Sequence, residues 1–262
     1  MPGRVKEETD RMPALKRGRP GRSTLGARLL TGSACALAII AAGATGAHAF
    51  WLLGFSTADT LPAGQVGFIA GTGGQLAEVG QPKAISFTPF LTHAGIRLGL
   101  ADGVDVGYRL TQVAIPFSSL GATLGGEADL RYRLTTPSDA WQVSLLAGGA
   151  YGYLNLEGQN RDTWSPGVDL MASRMVSRTT WLITELRYVY TAIPTAPGGI
   201  GDNHLHAVGP DLGFKIALTP QVSLVPEMGI FDFIGRFQGR AAGGFGYQYG
   251  AVLSVGNLPA LW

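Results

Sequence analysis

The chain has 262 residues, 39 of them glycine, a single cysteine and a formal net charge of +2. Eight of the twenty basic residues precede residue 50, leaving 12 basic against 15 acidic groups in the remainder. That balance gives no electrostatic footing for nucleic-acid binding, and one cysteine excludes an internal disulfide framework.

Residues 1–49 read as a cleaved export signal. Arg17, Arg19, Arg22 and Arg28 form a basic lead, an apolar core follows at 34–42, and Ala47-His48-Ala49 is a small-residue cleavage site. The apolar core is too short to span a bilayer. Cys35 lies within it and is expected to leave on processing. The long basic lead makes Met12 a candidate start beside Met1.

From residue 50 the chain reads as strands. Leu61-Pro62-Ala63-Gly64 is a turn signal, and a first strand is predicted over 65–72, with Val66, Phe68 and Ala70 on one face. A loop rich in Gly and Gln is expected to about Phe87. The stretch 90–112 then forms a hairpin around Ala101-Asp102-Gly103, because Asp-Gly supplies the positive φ of a tight turn. Ala94, Ile96, Leu98 and Leu100 share one face, His93 and Arg97 the other. Val104, Val106, Tyr108 and Leu110 alternate with Asp105, Gly107, Arg109 and Thr111. Such period-2 alternation marks strands whose two faces meet different surroundings.

After a connection at Ile115-Pro116-Phe117-Ser118-Ser119, the pattern repeats over 122–134. Ala128, Leu130, Tyr132 and Leu134 alternate there with Glu127, Asp129, Arg131 and Arg133. Further strands are predicted at 141–154, to about 176 (with Asp169 on the small-residue face) and at 180–190, with Glu185 and Arg187 opposite Leu186 and Tyr188. An eighth sets Asp211 and Lys215 against Leu212 and Phe214, a ninth sets Glu227 against Met228, and a tenth covers 245–255. Loops are expected at 155–163, 192–203 and 234–243. At the end, either a bulge near Gly256 resets the register or the last residues form a tail.

About ten strands in meander order, with short turns alternating with longer loops, predict an all-β, antiparallel, up-and-down transmembrane barrel over 50–262. Aromatic residues near strand ends (Tyr132 and Trp141 on one side, Tyr151, Tyr153, Trp164, Tyr188, Tyr190, Phe245 and Tyr247 on the other) suit two interfacial girdles. Trp181 has the wrong parity for either girdle. No helix-period segment or 18-residue apolar run follows residue 49, so a membrane protein of this kind has to be a closed barrel.

The architecture resembles the small outer-membrane barrels of Gram-negative bacteria. Ala58-Asp59-Thr60-Leu61-Pro62-Ala63-Gly64 and Leu98-Gly99-Leu100-Ala101-Asp102-Gly103-Val104-Asp105-Val106-Gly107 are similar to the phenol-degradation MetA-pathway family of transporter-like barrels. That resemblance implies an exported protein of the outer membrane, in contact with its lipid, carrying small solutes and no cofactor. Trp262 resembles the terminal aromatic read by the barrel-assembly machinery, which would be a partner during insertion.

The predicted interior charges are Arg97, Arg109, Arg131, Arg133, Arg187 and Lys215 against Asp105, Glu127, Asp129, Asp169, Glu185, Asp211 and Glu227. They read either as a network filling the interior or as a lining that selects a solute. Asp202-Asn203-His204-Leu205-His206 is the best candidate for chemistry, since two His at i and i+2 share a strand face. The expected function is a non-enzymatic narrow channel or structural barrel, without a metal site. The alternative is an omptin-like protease or lipid-modifying hydrolase at the external rim.

Overall fold

A computed structural model describes residues 57–79, 84–113, 123–156, 159–195, 198–199 and 201–259. The expected export segment, the expected connection at 115–119 and Trp262 lie outside these residues. Ten strands follow in order: β1 (Gln65–Val79), β2 (Ala84–Ala101), β3 (Val104–Val113), β4 (Thr123–Arg133), β5 (Gln142–Leu156), β6 (Gln159–Ser177), β7 (Thr180–Ile193), β8 (Asn203–Ala217), β9 (Val222–Phe237) and β10 (Arg240–Pro259). Each pairs antiparallel with its neighbours in the chain, and β1 pairs with β10, so the sheet is a closed up-and-down barrel.

Alternation sets which way each residue faces. On β4, Ala128, Leu130 and Tyr132 are exposed while Glu127, Asp129 and Arg131 are buried. On β9, Met228 and Ile230 are exposed and Glu227 and Phe231 buried. The arrangement inverts that of a water-soluble barrel, where the apolar set is inside. Most large apolar side chains on the outer face are exposed, up to 59%, and charged side chains fill the interior.

Turn chemistry explains the tight hairpins. Gly103 takes φ 75° between β2 and β3, and its carbonyl accepts the Arg133 N–H at 2.8 Å. Gln238 (φ 50°) and Gly239 (φ 75°) make a two-residue turn between β9 and β10, with both residues on the left-handed side as such hairpins require.

Several strands run longer than their side-chain pattern predicts. β1 continues through Thr72 to Val79, opposite the glycine-rich part of β10, with Gly73 on Gly250 and Gly74 on Tyr249. The expected 234–243 loop is instead the end of β9, the two-residue turn and the start of β10. Glycine adds nothing to an alternation of side chains, yet its backbone joins the ladder as well as any other. The far-end connections are therefore not uniformly long. At the C-terminus the bulge alternative holds: Val66 pairs with Leu258 and Phe68 with Val255, so β10 carries one extra residue between them.

Ring closure has a direct test. In a Cys35→Ser background, Ala70→Cys with Leu253→Cys places two thiols at directly paired, outward positions of β1 and β10. A short bifunctional thiol reagent is expected to link them, with a mobility shift on non-reducing gels. Ala70→Cys with Tyr249→Cys, displaced along the strand, should stay unlinked.

Candidate functional site: the charged interior

Two groups of ionisable side chains occupy the interior. The first is held by β2, β3 and β4, toward the end bearing the Asp102-Gly103 turn. Asp105 receives Arg131 through two contacts (Nη2–Oδ2 2.5 Å, Nε–Oδ1 3.2 Å) and also Arg97. Arg97 reaches on to Asp129 at 2.5 Å, and Arg109 pairs with Glu127 one level further in. These side chains are at most 12% exposed. Glycine makes the room: a Cβ on Gly107 would lie 2.6 Å from Arg97 Nη2 and 2.7 Å from Asp129 Oδ2.

The second group centres on Arg187 of β7. Its guanidinium meets Glu185 Oε2 at 2.5 Å, Glu227 Oε1 at 3.1 Å, Asp169 Oδ2 at 3.5 Å and Asp211 Oδ2 at 3.6 Å. Gln248 Oε1 accepts from Nη1 at 3.3 Å, and the Phe231 ring lies 5.8 Å from the guanidinium carbon. All five charged side chains are at most 2% exposed, so the group is sealed from water.

The near-cancellation of signs expected from sequence thus hides a segregation. One guanidinium faces four carboxyls in the Arg187 group, and the cations concentrate toward the tight-turn end. Two expected members sit apart from both groups. Arg133 pairs with the exposed Asp102 at the rim, 2.6 Å away. Lys215 points inward but meets Asp59, a residue outside the strands, at 3.7 Å.

The segment before β1 is the part that side-chain pattern did not reveal. Residues 57–62 turn into the barrel. Asp105 Oδ2 accepts the Leu61 N–H at 2.8 Å, Arg131 donates to the Thr57 carbonyl, and Ser144 Oγ donates to the Ala58 carbonyl. Ala58 is fully buried against Leu146 and Met171. The Gly64 N–H bonds the Gly99 carbonyl at 2.9 Å, and a Cβ on Gly99 would fall 1.9 Å from the Pro62 carbonyl oxygen. Only glycine admits that approach. On the opposite wall, Ile183, Val225 and Val252 pack together with Ile69. Trp181, anomalous for a girdle, points inward with the Lys215 ammonium 5.3 Å from its ring.

The His204–His206 pair faces outward. Tyr188 Oη and His206 Nδ1 are 2.8 Å apart, Tyr190 stacks on His204 at 6.0 Å, and Trp164 lies 5.2 Å from Tyr190. His204 Nδ1 is 3.5 Å from Asp202. The pair belongs to the outer aromatic belt and not to a cleft at the rim. Among the described residues no group of three His, Cys, Asp or Glu has the arrangement of a metal site.

No protein family and no curated relative matches the chain. Solved structures resemble it in barrel architecture. The outer-membrane protease OmpT of Escherichia coli is 12% identical, with 76% of this chain and 100% of that one covered and a TM-score of 0.44. The NanC porin is 12% identical over 71% and 98%, with a TM-score of 0.38. The toluene transporter TodX of Pseudomonas putida is 9% identical over 74% and 89%, with a TM-score of 0.28.

Removing the cation of the Arg187 group leaves its carboxyls facing one another in a dry interior. Breaking a buried ion pair from one side costs about 3–5 kcal/mol. Arg187→Met is expected to lose that much stability, read by urea unfolding of the folded barrel, whereas Arg133→Met at the rim should change it by less than about 1 kcal/mol.

Proposed function

We propose that the protein is an integral outer-membrane barrel whose lumen is a narrow, largely filled path for small solutes, without catalytic chemistry of its own. The observation that carries this reading is the outer face of β6. Outward-facing Asp162 and Arg174 are exposed and bracket a run, 164–172, whose outward residues are Trp164, Pro166, Val168, Leu170 and Ala172. Twelve residue steps between those charges span about 40 Å along a strand. Tilted by roughly 40°, that is about 30 Å, the thickness of a hydrocarbon core.

Other strands agree. Outward positions over 208–216 on β8 and 245–255 on β10 carry no charge, and Asp232 marks the upper edge of the band on β9. Arg174 lies 5.7 Å over the Trp141 ring at the tight-turn edge, where an aromatic and a cation suit a headgroup boundary. In water, each half-exposed Leu or Phe of the band would forgo about 1 kcal/mol. A continuous band of them is the surface of a protein made for lipid. The tight-turn end would face the periplasm, as such barrels place their short turns. Placement of His204 and His206 among lipid-facing aromatics gives the hydrolase alternative no support.

Two measurements test the reading. With Cys35→Ser as background, a fluorophore on Ala128→Cys (outward) should be strongly quenched by acyl-chain quenchers in bilayers, and one on Thr111→Cys (inward) weakly. Equal quenching would sink the membrane assignment. In planar bilayers the unmodified protein should show small or no steady conductance. Conductance should rise in Arg131→Ala/Ser144→Ala, which frees the inserted segment from two of its anchors.

A further inference from the structure

Between the inserted segment and the wall built by β7–β10 and β1 lies a cavity of about 810 Å³ at the tight-turn end. We propose that it is a binding vestibule for a small organic anion with an apolar body, a carboxylate in the first instance. The inference rests on the solute-channel reading and names the class of solute.

The lining has two chemistries. Arg97, Arg109, Arg131, Arg178 and Lys215 present cationic groups to it, and Asp59 is the one carboxylate among its described lining residues. Asp105 and Asp129, which balance Arg97 and Arg131, stand behind those guanidiniums and do not line the space. Those guanidiniums are held by Asp105, Asp129 and the Thr57 carbonyl and set a positive field in the space, leaving Lys215 and Arg178 as the groups that contact an arriving anion. The rest of the wall is apolar and includes Trp181, which suits a hydrocarbon or aromatic body beside the charge.

Asp59 shows how the ligand would be received. Its carboxylate stands 3.7 Å from the Lys215 ammonium, with the two side chains 37% and 26% exposed. A pair of that length and exposure is weak. It places a carboxylate of the chain itself where a solute carboxylate would sit, so Asp59 acts as a tethered stand-in that an arriving anion displaces. Trp181, 5.3 Å from the same ammonium, would then flank the bound body.

The test is titration calorimetry of the folded, detergent-held full chain with benzoate, benzyl alcohol and benzylammonium, which share one body and differ in charge. Benzoate should bind at least tenfold more tightly than either of the others. Lys215→Met and Arg178→Gln should each weaken it severalfold, Asp59→Asn should strengthen it, and Arg240→Gln, at the start of β10, should leave it unchanged. Arg178 is an exposed turn residue, so its variant is informative even if an interior change disturbs folding. No benzoate binding, equal affinity for the three probes, or equal loss in Arg240→Gln would overturn the proposal. Bilayer insertion and conductance of the same preparation are read separately. A barrel that enters lipid but ignores benzoate sinks the vestibule alone, and one that binds benzoate but does not enter lipid sinks the channel reading alone.

Discussion

Closure is the constraint from which the rest follows. A sheet without an edge has every backbone donor and acceptor paired, and that is what permits a strand protein to sit in lipid. Closing it requires β1 to find β10 at the far end of the chain, and the extra residue in β10 opposite Val66 and Phe68 adjusts the register where they meet. Closure also fixes the strand number, and hence the interior. About eight strands leave a space that side chains just fill. Ten leave more, and here the surplus is taken up by residues 57–62, with Ala58 buried to zero exposure.

Long charged side chains inside such a cylinder need space as well as partners. Inward glycines supply the space. Gly107 lies beneath the Arg97–Asp129 pair, a Cβ on Gly95 would meet Arg109 Cγ at 2.4 Å, and one on Gly229 would meet Asp211 Oδ2 and Phe231 at 2.5 Å. The abundance of glycine is thus in part the counterpart of the interior charge: where one strand sends in an arginine, its neighbour withdraws its side chain.

That coupling also decides what could be read from the sequence. Where alternation was carried by side chains, as in Leu130-Arg131-Tyr132-Arg133, strand, face and partner type were all legible. Where glycine carries the strand, as at Gly73-Gly74 or Gly243-Gly244, the ladder is present but unsigned, so side-chain pattern predicts a shorter strand and a loop where the structure has a hairpin. Trp181 looked misplaced because an aromatic near a strand end suggested a girdle, while its parity correctly pointed inward to Lys215. The inserted segment was illegible for a different reason. Its hold on the barrel is through the backbone of Thr57, Ala58 and Leu61, and main-chain donors and acceptors leave no signature in residue type.

The segregation of interior charge bears on how the lumen can work. A carboxylate entering from the tight-turn end meets cationic groups first, at Lys215 and Arg178. Beyond them lies the Arg187 group, where four carboxyls surround the one guanidinium. An anion gains on reaching the first region and loses on approaching the second, and the low dielectric of a sealed interior amplifies both effects. On the proposed reading, holding an anion and passing it would therefore be separate properties of this barrel. The first depends on side chains near a loosely paired Asp59, the second on a group whose dismantling would cost the fold itself.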